Sequence, residues 1–207
     1  MKVLMVNGSP HEKGSTHAAL CEVGKALAEN GVDWEILQVG HLALRGCQGC
    51  GACSKLDGQC VWDDDIVNAG LAKSAEADGF IFGSPVHYAG ITGALKCYLD
   101  RSFFAGRRFA GKPGAGVAVC RRGGSTAALE QLEKYFTIAQ MPVVSSHYWN
   151  MVHGGNAEEV KRDEEGMQVM RRLGHNMAWM LRCLEEGKKQ NIVPHYDEPR
   201  VWTNFIR

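Results

Sequence analysis

The sequence predicts an α/β fold in which a parallel sheet carries helices on both of its faces. Short apolar runs alternate along the chain with longer helix-forming segments, the order expected of strands joined by crossover helices. Residues 79–83, Gly-Phe-Ile-Phe-Gly, are almost entirely apolar, as is typical of a strand buried on both faces. The first apolar run, residues 2–6, leads directly into the turn-forming sequence Asn-Gly-Ser-Pro, which cannot continue a strand.

The remaining elements follow in order. A second strand is predicted where residues alternate in polarity, and two further apolar runs complete a set of five strands: 2–6, 33–39, 79–83, 114–120 and 143–148. Helices are predicted between them and after the last: 15–29, 63–75, 92–103, 125–139 and 164–186. The second helix begins with the acidic run Asp63-Asp64-Asp65, which suits a cap and first turn. The last is long and amphipathic. No repeat or low-complexity linker divides the chain, so we expect one domain over residues 1–190.

The loop after the first strand has the features of an anion site. Small residues lead from the strand into a helix that starts near Ser15 and Thr16, so loop amides and first-turn N–H groups lack helical partners. The hydroxyls of Ser9, Ser15 and Thr16 add donors. The spacing of Gly8, Lys13 and Gly14 matches neither the dinucleotide-binding fingerprint nor the nucleoside-triphosphate loop. A single terminal phosphate fits better, and an ordinary strand–helix turn with a serine cap is the alternative.

Two further loops at the same edge of the predicted sheet carry residues that could bind a ligand. Ligands of such sheets bind beyond the carboxyl ends of the strands, where the strand order reverses. After the third strand, Pro85 stiffens a loop in which His87 and Tyr88 can line a flat ligand and Gly90 allows close backbone approach. The loop after the fourth strand runs Cys-Arg-Arg-Gly-Gly-Ser over residues 120–125, with two guanidinium groups and free amides for an anion. A surface tyrosine and a solvated histidine are the plainer interpretations of the second loop.

Composition excludes several classes of function. Acidic and basic residues balance at 23 each, so no basic field indicates nucleic acid or a membrane surface as partner. No apolar run is long enough to span a bilayer, and the first residues lack the pattern of a secretory signal. Eight cysteines in such a chain do not suggest a secreted disulfide framework. We therefore expect a soluble cytoplasmic protein.

These motifs together resemble the NADPH-dependent FMN reductase family of flavodoxin-like proteins. The resemblance rests on Asn-Gly-Ser-Pro-His-Glu-Lys-Gly-Ser-Thr and on Gly-Ser-Pro-Val-His-Tyr-Ala-Gly-Ile-Thr-Gly-Ala-Leu-Lys-Cys-Tyr-Leu-Asp-Arg, and it extends to about residue 148. It implies a three-layer, doubly wound, five-stranded parallel sheet of order 2-1-3-4-5. It also implies FMN as cofactor and NAD(P)H as co-substrate. No catalytic side chain is implied, because the flavin itself carries the chemistry.

The same resemblance assigns the FMN contacts. The phosphate would be held by Ser9, His11, Ser15 and Thr16. The isoalloxazine ring would lie at Pro85, Val86, His87, Tyr88 and Gly90, flanked by Arg121, Arg122, Gly123, Gly124 and Ser125. Lys96 and Asp100, which complete the second motif, are spaced i,i+4 on the next helix, so a structural ion pair is the plainer interpretation.

A compact cysteine motif lies in a glycine-rich insertion at about residues 46–62. Cys47, Cys50, Cys53 and Cys60 follow the spacing C-x2-C-x2-C-x6-C, and closely spaced thiolates are how iron–sulfur clusters are held. The pattern is similar to that of the iron–sulfur flavoprotein branch of the family, which implies a 4Fe–4S cluster. Reduced or disulfide-bonded cysteines and a zinc site are the alternatives, although structural zinc usually uses two separated pairs of ligands.

The sequence therefore predicts an FMN-dependent oxidoreductase that passes electrons from NAD(P)H to a quinone, flavin, nitroaromatic or protein acceptor. A non-enzymatic iron–sulfur flavoprotein electron carrier is the alternative. Residues 191–207 form a separate tail with three large apolar side chains, at Trp202, Phe205 and Ile206. Because exposed apolar groups gain from burial, we expect this tail to pack on its own domain or, preferably, on a second subunit. The expected assembly is a homodimer or homotetramer.

Overall fold

The computed structural model describes residues 1–106, 109–194, 198–199, 201–203 and 205. Five parallel strands form one sheet, in the order β2-β1-β3-β4-β5, as the resemblance implies. The strands are β1 (Lys2–Asn7), β2 (Asp33–Gln38), β3 (Gly79–Pro85), β4 (Gly114–Cys120) and β5 (Met151–His153). The α-helices are α1 (Ser15–Glu29), α2 (Ile66–Glu76), α3 (Gly93–Ala105), α4 (Ser125–Ile138), α5 (Ala157–Arg162) and α6 (Glu164–Lys189), and a short 3-10 helix spans Ala52–Lys55.

Successive residues of the central strands face opposite layers of helices. Val3 and Met5 of β1 pack into a core with α1, α5 and α6, whereas Leu4 and Val6 pack into a second core with α2, α3 and α4. This alternation is the period of a strand, and burial on both faces explains why the central strands read as continuous apolar runs. The sheet is therefore the middle of three layers, and its carboxyl edge is where the loops after β1, β3 and β4 lie.

The fifth strand differs from the prediction. Residues 143–148 do not form it; Val143 makes a single bridge with Gly114, and the strand proper is β5, which pairs with residues 118–120. Between the two pairings the chain leaves the sheet, because side chains satisfy the backbone there. Ser146 Oγ donates to Tyr148 O at 2.6 Å, and Asn150 Oδ1 accepts from Ser146 N at 3.2 Å. Local bonds of this type compete with the ladder between strands.

The starts of two helices and one whole helix also differ from the sequence prediction. Helix α2 begins at Ile66, because Asp65 alone of the three aspartates is its N-cap, accepting from Val67 N at 3.0 Å. Helix α3 begins after Thr92, which caps it. The short helix α5 was not predicted. No helix in the described ranges combines the length and apolar character that a bilayer crossing requires.

Candidate functional site

The loop after β1 is organised by one buried amide side chain. Asn7 Oδ1 accepts a hydrogen bond from Ser9 N at 3.0 Å, and Asn7 Nδ2 donates to Gln38 Oε1 at 2.6 Å. Gln38 Nε2 in turn donates to Ser9 O at 2.7 Å, and Ser9 Oγ accepts from His11 N at 3.1 Å. The end of β2 therefore holds the loop, and the hydroxyl oxygen of Ser9 already serves the turn itself. His11 is exposed at the loop's tip.

Gly40 leaves no room for a side chain beside this loop. A Cβ built on Gly40 would lie 2.2 Å from both Gly8 O and Ser9 O. Since those atoms are backbone, no rotamer change could relieve the clash. The chain after β2 thus packs directly on the loop after β1 and restricts its conformation.

Two of the three helices that begin at the proposed ligand loops, α1 and α4, differ from the other α-helices of the described chain. Helices α2, α3, α5 and α6 each begin with a side chain that accepts a hydrogen bond from a first-turn N–H, supplied by Asp65, Thr92, Asn156 and Asp163. Helix α1 begins after Gly14 and helix α4 after Gly124, and neither has a side-chain cap within the described ranges. Uncapped first-turn amides with the positive end of the helix dipole are what an anion needs.

Thr16 adds an unpaired donor to the first of these helices. The residue is fully buried, and its Oγ1 has no hydrogen-bond partner in the part of the chain that the structure describes. Ser15, beside it, is half-buried. A buried hydroxyl without a partner is costly, so its presence at an uncapped helix end indicates a polar ligand that is not protein. Phosphate fits this position by its charge and by its number of acceptor oxygens.

The loop after β3 contains a tight, strained hairpin. His87 and Gly90 exchange two backbone hydrogen bonds of 2.9 Å, and the two residues between them, Tyr88 and Ala89, both have positive φ angles, 48° and 57°. Two positive φ values in a two-residue connection are the mark of a type I′ turn, which Asn-Gly sequences usually occupy. The turn leaves the Tyr88 side chain fully exposed. Such strain persists where the surroundings enforce it and often marks a ligand site.

The three loops meet at the carboxyl edge of the sheet. Gly8 N donates to Gly83 O at 2.8 Å, which joins the first loop to the end of β3. The third loop packs on the second, since a Cβ added at Gly124 would lie 3.0 Å from Val86 Cγ1 and from the Cα of Ala89. The sequence prediction that these loops converge agrees with this geometry.

The third loop presents charge to solvent. Arg121, Arg122 and Gly123 are exposed, whereas Ser125 is buried, with its Oγ 3.4 Å from the Met151 sulfur. Its hydroxyl thus has a partner inside the protein, and its backbone amide in the first turn of α4 is the group left for a ligand. The residues present therefore fit a flat anionic cofactor such as FMN: one buried phosphate position and a rim of aromatic, guanidinium and backbone groups.

The four cysteines of the compact motif line one small pocket between the insertion and α3. Cys47 and Cys50 are exposed and Cys53 and Cys60 half-buried, and all four thiols are free. Among the described residues, no three His, Cys, Asp or Glu side chains gather closely enough to hold a metal ion. A cluster is bound differently, because each thiolate ligates a separate iron atom. The four thiols are chemically suited to ligate such a cluster. Their sulfur atoms do not converge on one point, as the ligands of a single ion would.

The wall of this pocket also holds Trp62 and Arg101; Arg101 belongs to the second family motif, and neither residue was assigned to the cysteine site from the sequence. Trp62 Nε1 is buried without a hydrogen-bond partner in the described chain, so the wall holds an unused donor. Arg101 is buried, and its Nε donates to Cys60 Sγ at 3.3 Å. Spacing could not have revealed this contact, because it spans 41 positions. The ion pair expected between Lys96 and Asp100 is confirmed, at 3.1 Å.

Comparisons with known proteins agree with this geometry. The model of the family described as NADPH-dependent FMN reductase matches residues 1–156. An iron–sulfur flavoprotein from Methanocaldococcus jannaschii is 34% identical over 195 residues, 90% of this chain and 100% of that protein. One from Archaeoglobus fulgidus is 31% identical over 196 residues, 86% of this chain and 94% of that protein.

Solved structures agree on the fold. A flavodoxin from the domain Archaea superposes with a TM-score of 0.60 at 16% identity, over 88% of this chain and 99% of that one. At this identity the likeness concerns the flavodoxin-like fold alone. The family match over three quarters of the sequence and the near full-length relatives carry the assignment. The chain belongs to the NADPH-dependent FMN reductase family, in its iron–sulfur flavoprotein branch.

Proposed function

We propose that this protein is an FMN-dependent oxidoreductase that takes electrons from NAD(P)H and passes them to a quinone, flavin, nitroaromatic or protein acceptor. The observation that carries the proposal is the buried, unpartnered hydroxyl of Thr16 at the uncapped start of α1, beside two loops that a flat ring could contact. Membership of a flavoprotein family supports a flavin oxidoreductase, and the electron donor and acceptor are our proposal.

The chain's own groups would bind and orient the cofactor. The amides of the first turn of α1, with Ser15 and Thr16, would hold the phosphate, and the hairpin at Tyr88 would lie along the ring. Arg121 and Arg122 would place positive charge beside the ring and would stabilise its reduced, anionic form. FMN, when bound, supplies the hydride and electron chemistry, and the protein supplies position and electrostatics.

We further propose that Cys47, Cys50, Cys53 and Cys60 hold a 4Fe–4S cluster. The shared pocket, the hydrogen bond from Arg101 to Cys60, and the names of the relatives support this assignment. A cluster carries one electron at a time, whereas a nicotinamide delivers two. The protein would then convert between two-electron and one-electron carriers, with the flavin between them.

Anaerobic purification followed by cofactor analysis tests these proposals. The released flavin should be FMN, and a stoichiometric FAD peak would overturn the assignment. Addition of NADPH or NADH without air should bleach the flavin absorbance rapidly. Flavin that stays oxidised under both nicotinamides, but accepts electrons from a low-potential donor, would instead establish an electron carrier.

The cluster has its own test. Iron and sulfide should be present, or restored by anaerobic reconstitution, with a broad visible shoulder. Replacement of any one of the four cysteines by alanine should remove that shoulder and leave FMN in place. If the reconstituted protein contains neither iron nor sulfide, the cluster assignment is wrong and the flavin assignment is unaffected.

A further inference from the structure

Arg101 makes three separate hydrogen bonds from one buried guanidinium. Its side chain has no exposed surface. Nη1 donates to the carboxylate of Asp65, Nη2 donates to Trp62 O at 3.0 Å, and Nε donates to Cys60 Sγ at 3.3 Å. The three partners lie on one segment, residues 60–65, which connects the last cysteine of the motif to α2.

The Cys60 segment is also held from α2. Asn68 Oδ1 accepts from Cys60 N at 2.8 Å, and Asn68 Nδ2 donates to Cys60 O at 2.9 Å. The backbone of Cys60 is thus held by an amide on α2, and its sulfur by a guanidinium on α3. Cys47 and Cys50, by contrast, lie on the exposed part of the insertion. Cys60 is accordingly the most firmly positioned of these three thiols.

Stability alone does not account for this arrangement. Removing a guanidinium from water is costly, and a buried ion pair often contributes less than apolar groups of the same volume. The bond from Nε goes to sulfur, a weak acceptor as a thiol and a much better one as a thiolate. A donor placed on this sulfur is therefore most useful when Cys60 is ionised, which is its state as an iron ligand.

Helix α3 also connects the two proposed cofactor sites. Its N-cap is Thr92, at the end of the loop after β3, and Arg101 lies nine residues further on, about 14 Å along the helix axis. The start of the helix is anchored because Thr92 Oγ1 donates to Gly8 O at 2.7 Å, and Arg101 anchors the helix to the Cys60 segment. The group that contacts Cys60 thus lies on the same helix that follows the loop after β3.

We infer that Arg101 is a positioning residue that orients Cys60 as a cluster ligand and, by donating a hydrogen bond to its sulfur, raises the reduction potential of the cluster. This inference rests on the proposed function, since it needs a cluster at the four cysteines. Hydrogen bonds to ligand sulfurs are among the factors that set iron–sulfur potentials, because they stabilise the more negative, reduced state.

Two variants that keep the net charge test this role. Arg101→Lys retains one positive charge, but a single ammonium nitrogen cannot serve all three partners. The double variant Asp65→Asn/Arg101→Gln removes both members of the ion pair, so no buried charge is left alone if the lysine variant fails to fold. The matched control is Arg45→Lys, which also keeps the charge: Arg45 lies over the ring of Trp62, 4.4 Å from its centroid, pairs with Asp64 and is partly exposed.

The measurements are redox titration of the anaerobically loaded protein, followed by electron paramagnetic resonance, and hydrogen exchange of the cluster-free protein. Both Arg101 variants should show a more negative cluster potential and a changed resonance, and faster exchange over residues 60–65. Arg45→Lys should match the wild type in both. FMN content and circular dichroism report folding.

The outcomes separate the inference from the function on which it rests. If wild type and Arg45→Lys load a cluster and both Arg101 variants titrate at the wild-type potential, the inference is wrong and the cluster assignment stands. If neither Arg101 variant loads a cluster, unchanged exchange over residues 60–65 overturns the inference and faster exchange supports it. If wild type and Arg45→Lys also take up no iron, the proposed cluster fails and the inference fails with it.

Discussion

Thr92 Oγ1 donates a 2.7 Å hydrogen bond to the carbonyl oxygen of Gly8, although 84 positions separate the two residues. The same hydroxyl oxygen caps α3 by accepting from Leu95 N at 3.4 Å, and Thr92 N donates to Ser84 Oγ at 3.1 Å. Thr92 therefore joins the loop after β1, the loop after β3 and helix α3, which leads to the cysteine pocket.

Thr92→Val should weaken both folding and FMN binding. The variant keeps the shape of the side chain, but it leaves Gly8 O without this donor and α3 without its cap, at a cost of about 1–2 kcal/mol in unfolding free energy. Thr92→Ser, which keeps the hydroxyl, is the matched control. Urea unfolding and fluorescence titration of FMN measure the two effects. If Thr92→Val has the wild-type unfolding free energy and the wild-type FMN affinity, the hydrogen bond from Thr92 to Gly8 contributes to neither.

Thr16→Val should separate cofactor binding from stability. Because Thr16 Oγ1 has no partner in the described chain, its removal should not lower the stability of the flavin-free protein. A lost hydrogen bond to a charged phosphate is worth about 1.5–3 kcal/mol, or roughly ten- to hundredfold in the dissociation constant of FMN. Thermal unfolding with and without FMN gives both numbers. A loss of stability in the flavin-free variant with unchanged affinity would contradict the phosphate role.

Tyr98 should make the protein sensitive to alkali. Burial raises the pKa of Tyr98 to about 12, whereas an unfolded tyrosine titrates near 10. Between these values the unfolded chain loses the proton first, so folding stability falls as the pH rises. The stability difference between wild type and Tyr98→Phe should be constant below pH 10. Above pH 10, the unfolding free energy of the wild type should fall relative to that of Tyr98→Phe by roughly 1 kcal/mol per pH unit.

Denaturant titrations of both proteins from pH 8 to 11.5 measure this difference. Other tyrosines and lysines titrate in the same range, but they are common to both chains and cancel. A difference that stays flat through pH 11.5 would mean that Tyr98 ionises in the folded and unfolded states alike.

The carboxyl-terminal tail should influence assembly. Phe205 is 94% exposed, and Ile206 lies outside the described residues. We propose that a second subunit packs on this apolar tail, since burial of each large apolar side chain is worth roughly 1.5–3 kcal/mol. Deleting residues 191–207 should shift the protein toward monomer in light scattering, with FMN affinity unchanged.

A point variant serves as the control for that deletion. Trp202→Ser/Phe205→Ser keeps the length of the tail and should reproduce the dissociation, if the apolar rings rather than the backbone make the contact. A full-length protein that is monomeric at micromolar concentration would refute the proposal.

Much of the candidate site could be predicted because its residues are close in sequence. The strand, loop and helix of residues 2–29 are set by local patterning, whereas the sequence left open a serine cap, which the structure does not have. The order of strands was implied by the family resemblance, and the convergence of three loops follows from a general rule for parallel sheets. The fifth strand was misplaced because Ser146 and Asn150 satisfy the local backbone, a competition that alternation of polarity does not report.

By itself, the sequence determined the layer architecture, the turn-forming loop that leads from β1 into α1 and the presence of four cysteines within fourteen residues, since each depends on neighbours along the chain. Only the tertiary structure decided which partners the side chains have. It left Thr16 Oγ1 unpaired, closed the strained turn at Tyr88 and brought Arg101 against Cys60. Those outcomes depend on distances between segments far apart in sequence, which are fixed when the helices pack on the sheet.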